Sequence, residues 1–353
     1  MQNSAKAKTK ASGRLVGDSE RLPLGRFYTL NKPMQQAENT EHLKRLPEQF
    51  PHPLAIEWGE DDFGLYQMVE LFGVEHVFRW IPPGLFQMGS PTDEEGRDED
   101  EILHWVTLTD GFWLGETVIS QQQWKAVMDE NRNETADDNL PQVDVSWDNC
   151  ADFIEAINQE HEGLGARFPT EAEWEYACRA GSKMAYWWGE KPDLGKANYR
   201  GDPKDEALRQ ACPVKSYLPN AWGLYQMHGN VWEWCWDYFS DYPAGNSENP
   251  EGPEEEVVSE DYKLNGRAVR VLRGGSWIDG GQFLRSAYRD GFGPDERDDS
   301  IGFRLALGRE LGRGGASSVA EQRVKLAGIG LNQMESLEMA GSEITQKLND
   351  TQP

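Results

Sequence analysis

The residue types that run covalent chemistry are sparse in this chain. Its four cysteines, Cys150, Cys178, Cys212 and Cys235, form no C-x-x-C pair, and none has a His or Cys at zinc-ligand spacing. The six histidines, His42, His52, His76, His104, His161 and His228, include no H-x-x-x-H pair of the kind that aims two imidazoles at one metal. No nucleophile-elbow pattern presents a reactive serine. The cysteines therefore read as reduced and mostly buried. Catalysis has little to work with, so the aromatic, carboxylate and amide side chains carry the functional reading.

Those side chains concentrate between Asn220 and Leu307. The stretch opens with N-A-W-G-L-Y-Q-M-H-G-N-V-W-E-W-C-W-D (Asn220 to Asp237). It resumes with R-V-L-R-G-G-S-W (Arg270 to Trp277), L-R-S-A-Y-R (Leu284 to Arg289) and I-G-F-R-L-A (Ile301 to Ala306). Neither a helix nor a strand period explains this spacing. Bulky indoles beside glycines predict a loop-rich core with tight turns. Upstream, W-I-P-P-G-L-F-Q-M-G-S (Trp80 to Ser90) and R-F-P-T-E-A-E-W-E-Y-A (Arg167 to Ala177) read as framework.

The ordered set of motifs, from about Phe63 to Leu307, resembles the formylglycine-generating enzyme family, also called the sulfatase-modifying factor domain. The resemblance implies an α+β, loop-rich variant of the C-type lectin fold with small antiparallel sheets. That fold serves enzymes and binders alike. In the family's enzymes two cysteines shortly after the Gly-Gly-Ser motif bind copper(I), a soft ion suited to thiolates. Asp279 and Leu284 stand at those two places, so neither copper nor iron is expected. The resemblance also implies structural calcium, held by Gln226 or Asn230, the carbonyls of Gly229 and Val231, and the Glu233 carboxylate. The alternative is that Glu233 pairs with Arg270 or Arg273. A second implied site would use Asn198 and the Tyr199 carbonyl, but its downstream Asp has no match before Cys212.

The loops Ile278–Phe283 and Asp290–Gly293 lie between framework motifs. This layout is similar to the variable proteins of diversity-generating retroelements. Most of these positions, Gln282 excepted, are reachable by adenine-directed change of Asn codons. With or without diversification, Trp277, Phe283, Tyr288 and Phe292 are expected to line an exposed face, with Asp279, Arg289 and Asp290 at its rim. Aromatics and arginine on loops over a rigid scaffold make a recognition surface. Trp277 and Tyr288 as core residues is the competing expectation.

Elements must position these loops. Gly73–Trp80, Leu85–Ser90, Trp105–Thr109 and Phe112–Leu114 read as strands, with Pro82 and Pro83 closing the first. Ser120 with Gln123, Ser146 with Asn149, and Thr170 with Glu173 are helix starts. Cys150, Phe153, Ile154 and Ile157 fall on one helix face. Pro91 to Glu101 is expected as a solvated acidic loop. Residues 1–55 form an extension, 56–308 the domain, and 309–353 a linker and helical tail. Either flank is a place for a protein partner.

Composition sets the outer limits. The 353 residues carry 35 basic and 61 acidic side chains, a net charge of -26. Such a polyanion is repelled by nucleic acid and by anionic membrane, and neither is expected as a partner. No run approaches a membrane span and the N-terminus lacks an apolar signal core, so a cytoplasmic location is expected. Three functions stay open: a non-catalytic binder of a protein or other ligand, an oxidoreductase acting on a protein or peptide, and a scaffold subunit.

Overall fold

The computed structural model describes residues 46–128, 138–201 and 210–312. The expected N-terminal extension, up to residue 45, and the tail beyond 312 lie outside the described residues. The strands in chain order are β1 Ala55–Asp61, β2 Gly64–Leu71, β3 Val74–Ile81, β4 Gly84–Met88, β5 His104–Leu108, β6 Phe112–Gly115, β7 Ala166–Arg167, β8 Trp232–Tyr238 and β9 Ser247–Glu248. A short hairpin, β10 Lys263–Leu264 and β11 Arg267–Ala268, precedes β12 Arg270–Arg273, β13 Arg289–Phe292, β14 Ile301–Gly302 and β15 Ala306–Leu307. The helices are α1 Gln121–Met128, α2 Trp147–Glu160 and α3 Glu171–Arg179. The four expected strands correspond to β3 through β6, within a residue or two at their ends.

Each helix starts where its capping residues predict. At α2, Ser146 accepts from the Asn149 backbone while Asn149 reaches back; Thr170 and Glu173 do the same at α3. These reciprocal bonds satisfy amides that the first turn leaves unpaired. Helix α3 ends at Ala180, in the left-handed region at φ 44.

Three sheets form. One has six strands in the order β1-β2-β3-β6-β15-β7, a second runs β13-β12-β8-β14, and the third is β4-β5-β9. The four-stranded sheet positions the functional loops. Alternation along β12 sends Leu272 into one core, with Trp124, Phe153, Trp234 and Phe303, and Val271 into another, with Trp174, Met227 and Cys235. A third, small cluster holds Ala185, Tyr186, Ala197, Tyr199 and Leu284.

Arginines stitch the layers together. Arg79 meets Glu116 at 2.7 Å, Arg167 meets Glu173 at 2.7 Å, Arg179 meets Glu175 at 2.8 Å, and Arg304 meets Glu233 at 2.6 Å. Arg285 meets Glu101 at 2.6 Å, Arg289 meets Glu171 at 2.7 Å, and Arg273 also binds Glu175. These glutamates are buried, and removing one partner of such a pair costs about 3–5 kcal/mol. The acidic loop 91–101 differs from its expected solvated state for this reason. Glu94 and Glu101 turn inward and share Arg285.

Candidate functional site

Strands β12 and β13 are antiparallel neighbours, with Arg273 opposite Arg289 and Arg270 opposite Phe292. Residues 274–288 form the long excursion between them. Gly274 and Gly275 open it at φ +98 and +68, values that L side chains avoid. The excursion is then pinned along its length. The Trp277 amide donates to the Asn230 carbonyl at 3.0 Å, and the Arg200 amide to the Asp279 carbonyl at 2.8 Å. Farther on, His228 Nδ1 lies 2.6 Å from the Leu284 carbonyl, and Arg285 anchors to Glu94, Glu101 and the Gly96 carbonyl. A loop held at this many points is pre-organised, which lowers the entropy lost on binding.

The expected recognition residues divide. Trp277, Phe283, Tyr288 and Phe292 are half-buried, between the exposed and the core alternatives. Phe283 and Tyr288 meet edge to face with ring centres 5.1 Å apart, and Tyr288 lies 6.0 Å from Trp232. Phe292 leans on the core at 6.4 Å from Trp234. Asp290 is exposed and accepts from the Gly291 amide at 2.8 Å. The Asp279 carboxylate folds back onto Ser276, accepting from its amide at 3.0 Å and its hydroxyl at 2.5 Å. Arg289 is a correction. It is 5 % exposed and bound to Glu171 and the Ser240 carbonyl, because β-strand alternation turns it inward, beneath the face rather than onto its rim.

At the two thiolate places, Asp279 offers a carboxylate engaged within its own turn and Leu284 is fully buried. The four thiols stand elsewhere. Burial raises Cys150 and Cys235 well above the ordinary range, pushes Cys178 up to about 12, and raises Cys212. Thiolate is the reactive form, so all four are poor nucleophiles. His228 is a packed, hydrogen-bonded residue. Burial brings it down to about 4, and its Nε2 accepts from the Trp187 amide at 3.2 Å.

The expected calcium ligands are close together but mostly spent. Glu233 is 1 % exposed. Arg304 binds both of its oxygens, at 2.6 and 2.7 Å, and Trp174 Nε1 donates to one at 2.7 Å. The partner is thus Arg304, and neither Arg270 nor Arg273. Asn230 Oδ1 accepts from Asn198 Nδ2 and the Cys212 amide, and Gln226 Oε1 from the Lys215 amide. The Gly229 carbonyl accepts from the Val231 amide at 3.0 Å. Of these expected ligands, Asn198 Oδ1 is buried without a partner, next in the chain to the buried Tyr199 of the small cluster. Calcium takes six to eight oxygens, and among the described residues one orphan acceptor with no free carboxylate beside it does not make such a set. Asp202, Asp205 and Glu206 lie outside the described residues.

One further opening was not legible in the sequence. A cavity of about 620 Å³ lies along β3, lined by His76, Glu116, Ser120, Asn139 and Lys215 among others. It includes no residue of the 277–293 loops. Register explains it: β6 pairs with β3 only from Phe78 to Ile81, which leaves the Val74–Val77 end of β3 without that neighbour.

The fold and its tightly pinned loops define a class: a formylglycine-generating-type variant of the C-type lectin scaffold. A family model for the sulfatase-modifying factor enzyme 1-like domain matches residues 74–309, and the chain belongs to that family. Formylglycine-generating enzyme of Streptomyces coelicolor is 31% identical over 252 residues, 65% of this chain and 74% of that protein. Inactive C-alpha-formylglycine-generating enzyme 2 of Mus musculus is 32% identical over 180 residues, 47% of this chain and 49% of that protein. Among solved structures, Treponema denticola variable protein 1 superposes with a TM-score of 0.56 at 24% identity, over 69% of this chain and 98% of its own. That last likeness is one of fold.

Proposed function

We propose that this chain is a non-catalytic binding domain that presents the 277–293 loops to a protein ligand. The observation that carries the reading is the side-chain chemistry at positions 279 and 284. A carboxylate tied to Ser276 and a buried leucine stand where the enzymatic relatives place two sulfurs. A carboxylate is a hard ligand and a leucine is none, so copper(I) has no soft pair to bind there. The other thiols are held in their neutral form by burial. The family includes a member whose name marks it as inactive, which agrees with loss of chemistry on a retained scaffold.

The loops themselves support binding. Phe283, Tyr288 and Trp277 are half-exposed aromatics on a segment pinned from beneath by Arg285 and His228. Aromatic anchors on rigid loops dominate recognition energetics. Diversification of 278–293 is the finer form of this proposal. It predicts coding changes confined to those loops among related isolates, and a near-copy of the Arg270 to Arg304 coding region beside a reverse transcriptase gene. An oxygen electrode tests the parent reading. With copper(I) and a cysteine-containing peptide, the protein should consume no oxygen above the peptide-and-copper control; turnover lost in Asp279→Ala would overturn it.

A further inference from the structure

Arg270 departs from the pattern of the other buried arginines. Each of those ends on a buried glutamate, whereas Arg270, 7 % exposed, has no carboxylate partner among the described residues. Its guanidinium carbon sits 3.8 Å from the ring centre of Trp147 and 3.5 Å from that of Tyr238. Nη1 donates to the Trp236 carbonyl, and Nε is buried with no acceptor. The arrangement follows from local structure. Arg270 on β12 lies opposite Tyr238 on β8, and Trp147 is the first residue of α2.

Two stacked rings attract the cation through their faces but use none of its in-plane N–H groups. An arginine fork with one N–H given to the Trp236 carbonyl keeps others that match a planar, two-oxygen anion. Burial brings Arg270 down to about 10, as expected for a cation without a counter-ion. The carboxylates that act on it are committed elsewhere. Asp237 accepts from the Glu171 amide at 2.7 Å, Glu255 from the Tyr238 hydroxyl at 2.9 Å, and Asp148 pairs with Arg267 at 2.9 Å. None of these bonds goes to Arg270.

We propose that Trp147, Trp236, Tyr238 and Arg270 form a slot for a single carboxylate group of a ligand. The net charge of -26 repels polyanionic segments, so the occupant is an otherwise uncharged molecule bearing one carboxylate. The slot shares no residue with the 277–293 loops and stands or falls apart from the proposal above.

Trp147 and Trp236 report on the slot through intrinsic fluorescence. The full-length protein is titrated with sodium acetate, sodium phosphate, sodium chloride and a poly-glutamate peptide at matched ionic strength. Acetate should give a saturable change that phosphate, chloride and the peptide do not match, and that Arg270→Met abolishes. Glu255→Gln, an exposed change that removes a competing negative charge, should lower the half-saturating acetate concentration severalfold. Superimposable acetate and chloride curves in both the wild type and Glu255→Gln would overturn the proposal. An acetate response retained in Arg270→Met, or an equal response to phosphate, would overturn the carboxylate assignment.

Discussion

Glu233→Gln separates a structural ion pair from a calcium ligand. The substitution preserves the shape of the side chain and the oxygen that accepts from Trp174 Nε1, but removes the charge facing Arg304. Arg304 is 0 % exposed, and its other bonds among the described residues go to the carbonyls of Gly115, Glu116 and Tyr225, so its cation would be left without a carboxylate. Breaking one side of such a pair costs about 3–5 kcal/mol. At roughly 2–4 °C per kcal/mol for a domain of this size, the melting temperature should fall by roughly 6–20 °C. The assay is thermal unfolding of the wild type and the variant, each with calcium and with chelator. The loss should be equal in both conditions, and the wild type should be indifferent to chelation. A variant within about 1 kcal/mol of the wild type would refute the ion-pair account, as would a wild-type melting temperature that drops on chelation to the variant's value.

Stability should peak near pH 6.5. Buried His228 and His76 sit at about 4 and 3, below the ordinary 6.5, so their stabilisation is complete above pH 6.5 and lost as pH falls. Burial pushes Asp237 up to about 8, so its contribution is complete below its ordinary 3.8 and is lost as pH rises toward 8. Between pH 4.5 and 5.5 the two histidines outweigh the aspartate by about one proton, a slope of roughly 1.4 kcal/mol per pH unit that falls to zero near pH 6.5; denaturant melts across pH measure it. The alkaline limb should vanish in Asp237→Asn. Gly229→Ala should unfold the protein or cost several kcal/mol, because φ is +75 and the new methyl would meet the Asn198 carbonyl at 2.4 Å. Circular dichroism of the purified variant checks this.

The sequence made local features readable. Ser146, Asn149, Thr170 and Glu173 mark their helices because a capping bond spans three residues. Alternation marks β3 for the same local reason. Long-range charge pairing left no such mark. Nothing near Glu233 points to Arg304, 71 positions away, and the 91–101 loop reads as solvated because Arg285 lies 184 residues from Glu101. One signal was available. Arg273, Arg285, Arg289 and Arg304 all lie within apolar framework motifs, and buried cations require buried acceptors. Counting them would have claimed the carboxylates of Glu171, Glu175, Glu101 and Glu233 for structure. It would also have put Arg289 inside the fold.

Copper(I) binding tests the central claim most directly. The wild-type protein, titrated under reducing, oxygen-free conditions against a chromogenic copper(I) chelator, should withdraw no copper, because no two sulfurs converge at positions 279 and 284. Stoichiometric copper(I) uptake by the wild type, lost in Asp279→Ala, would contradict the account.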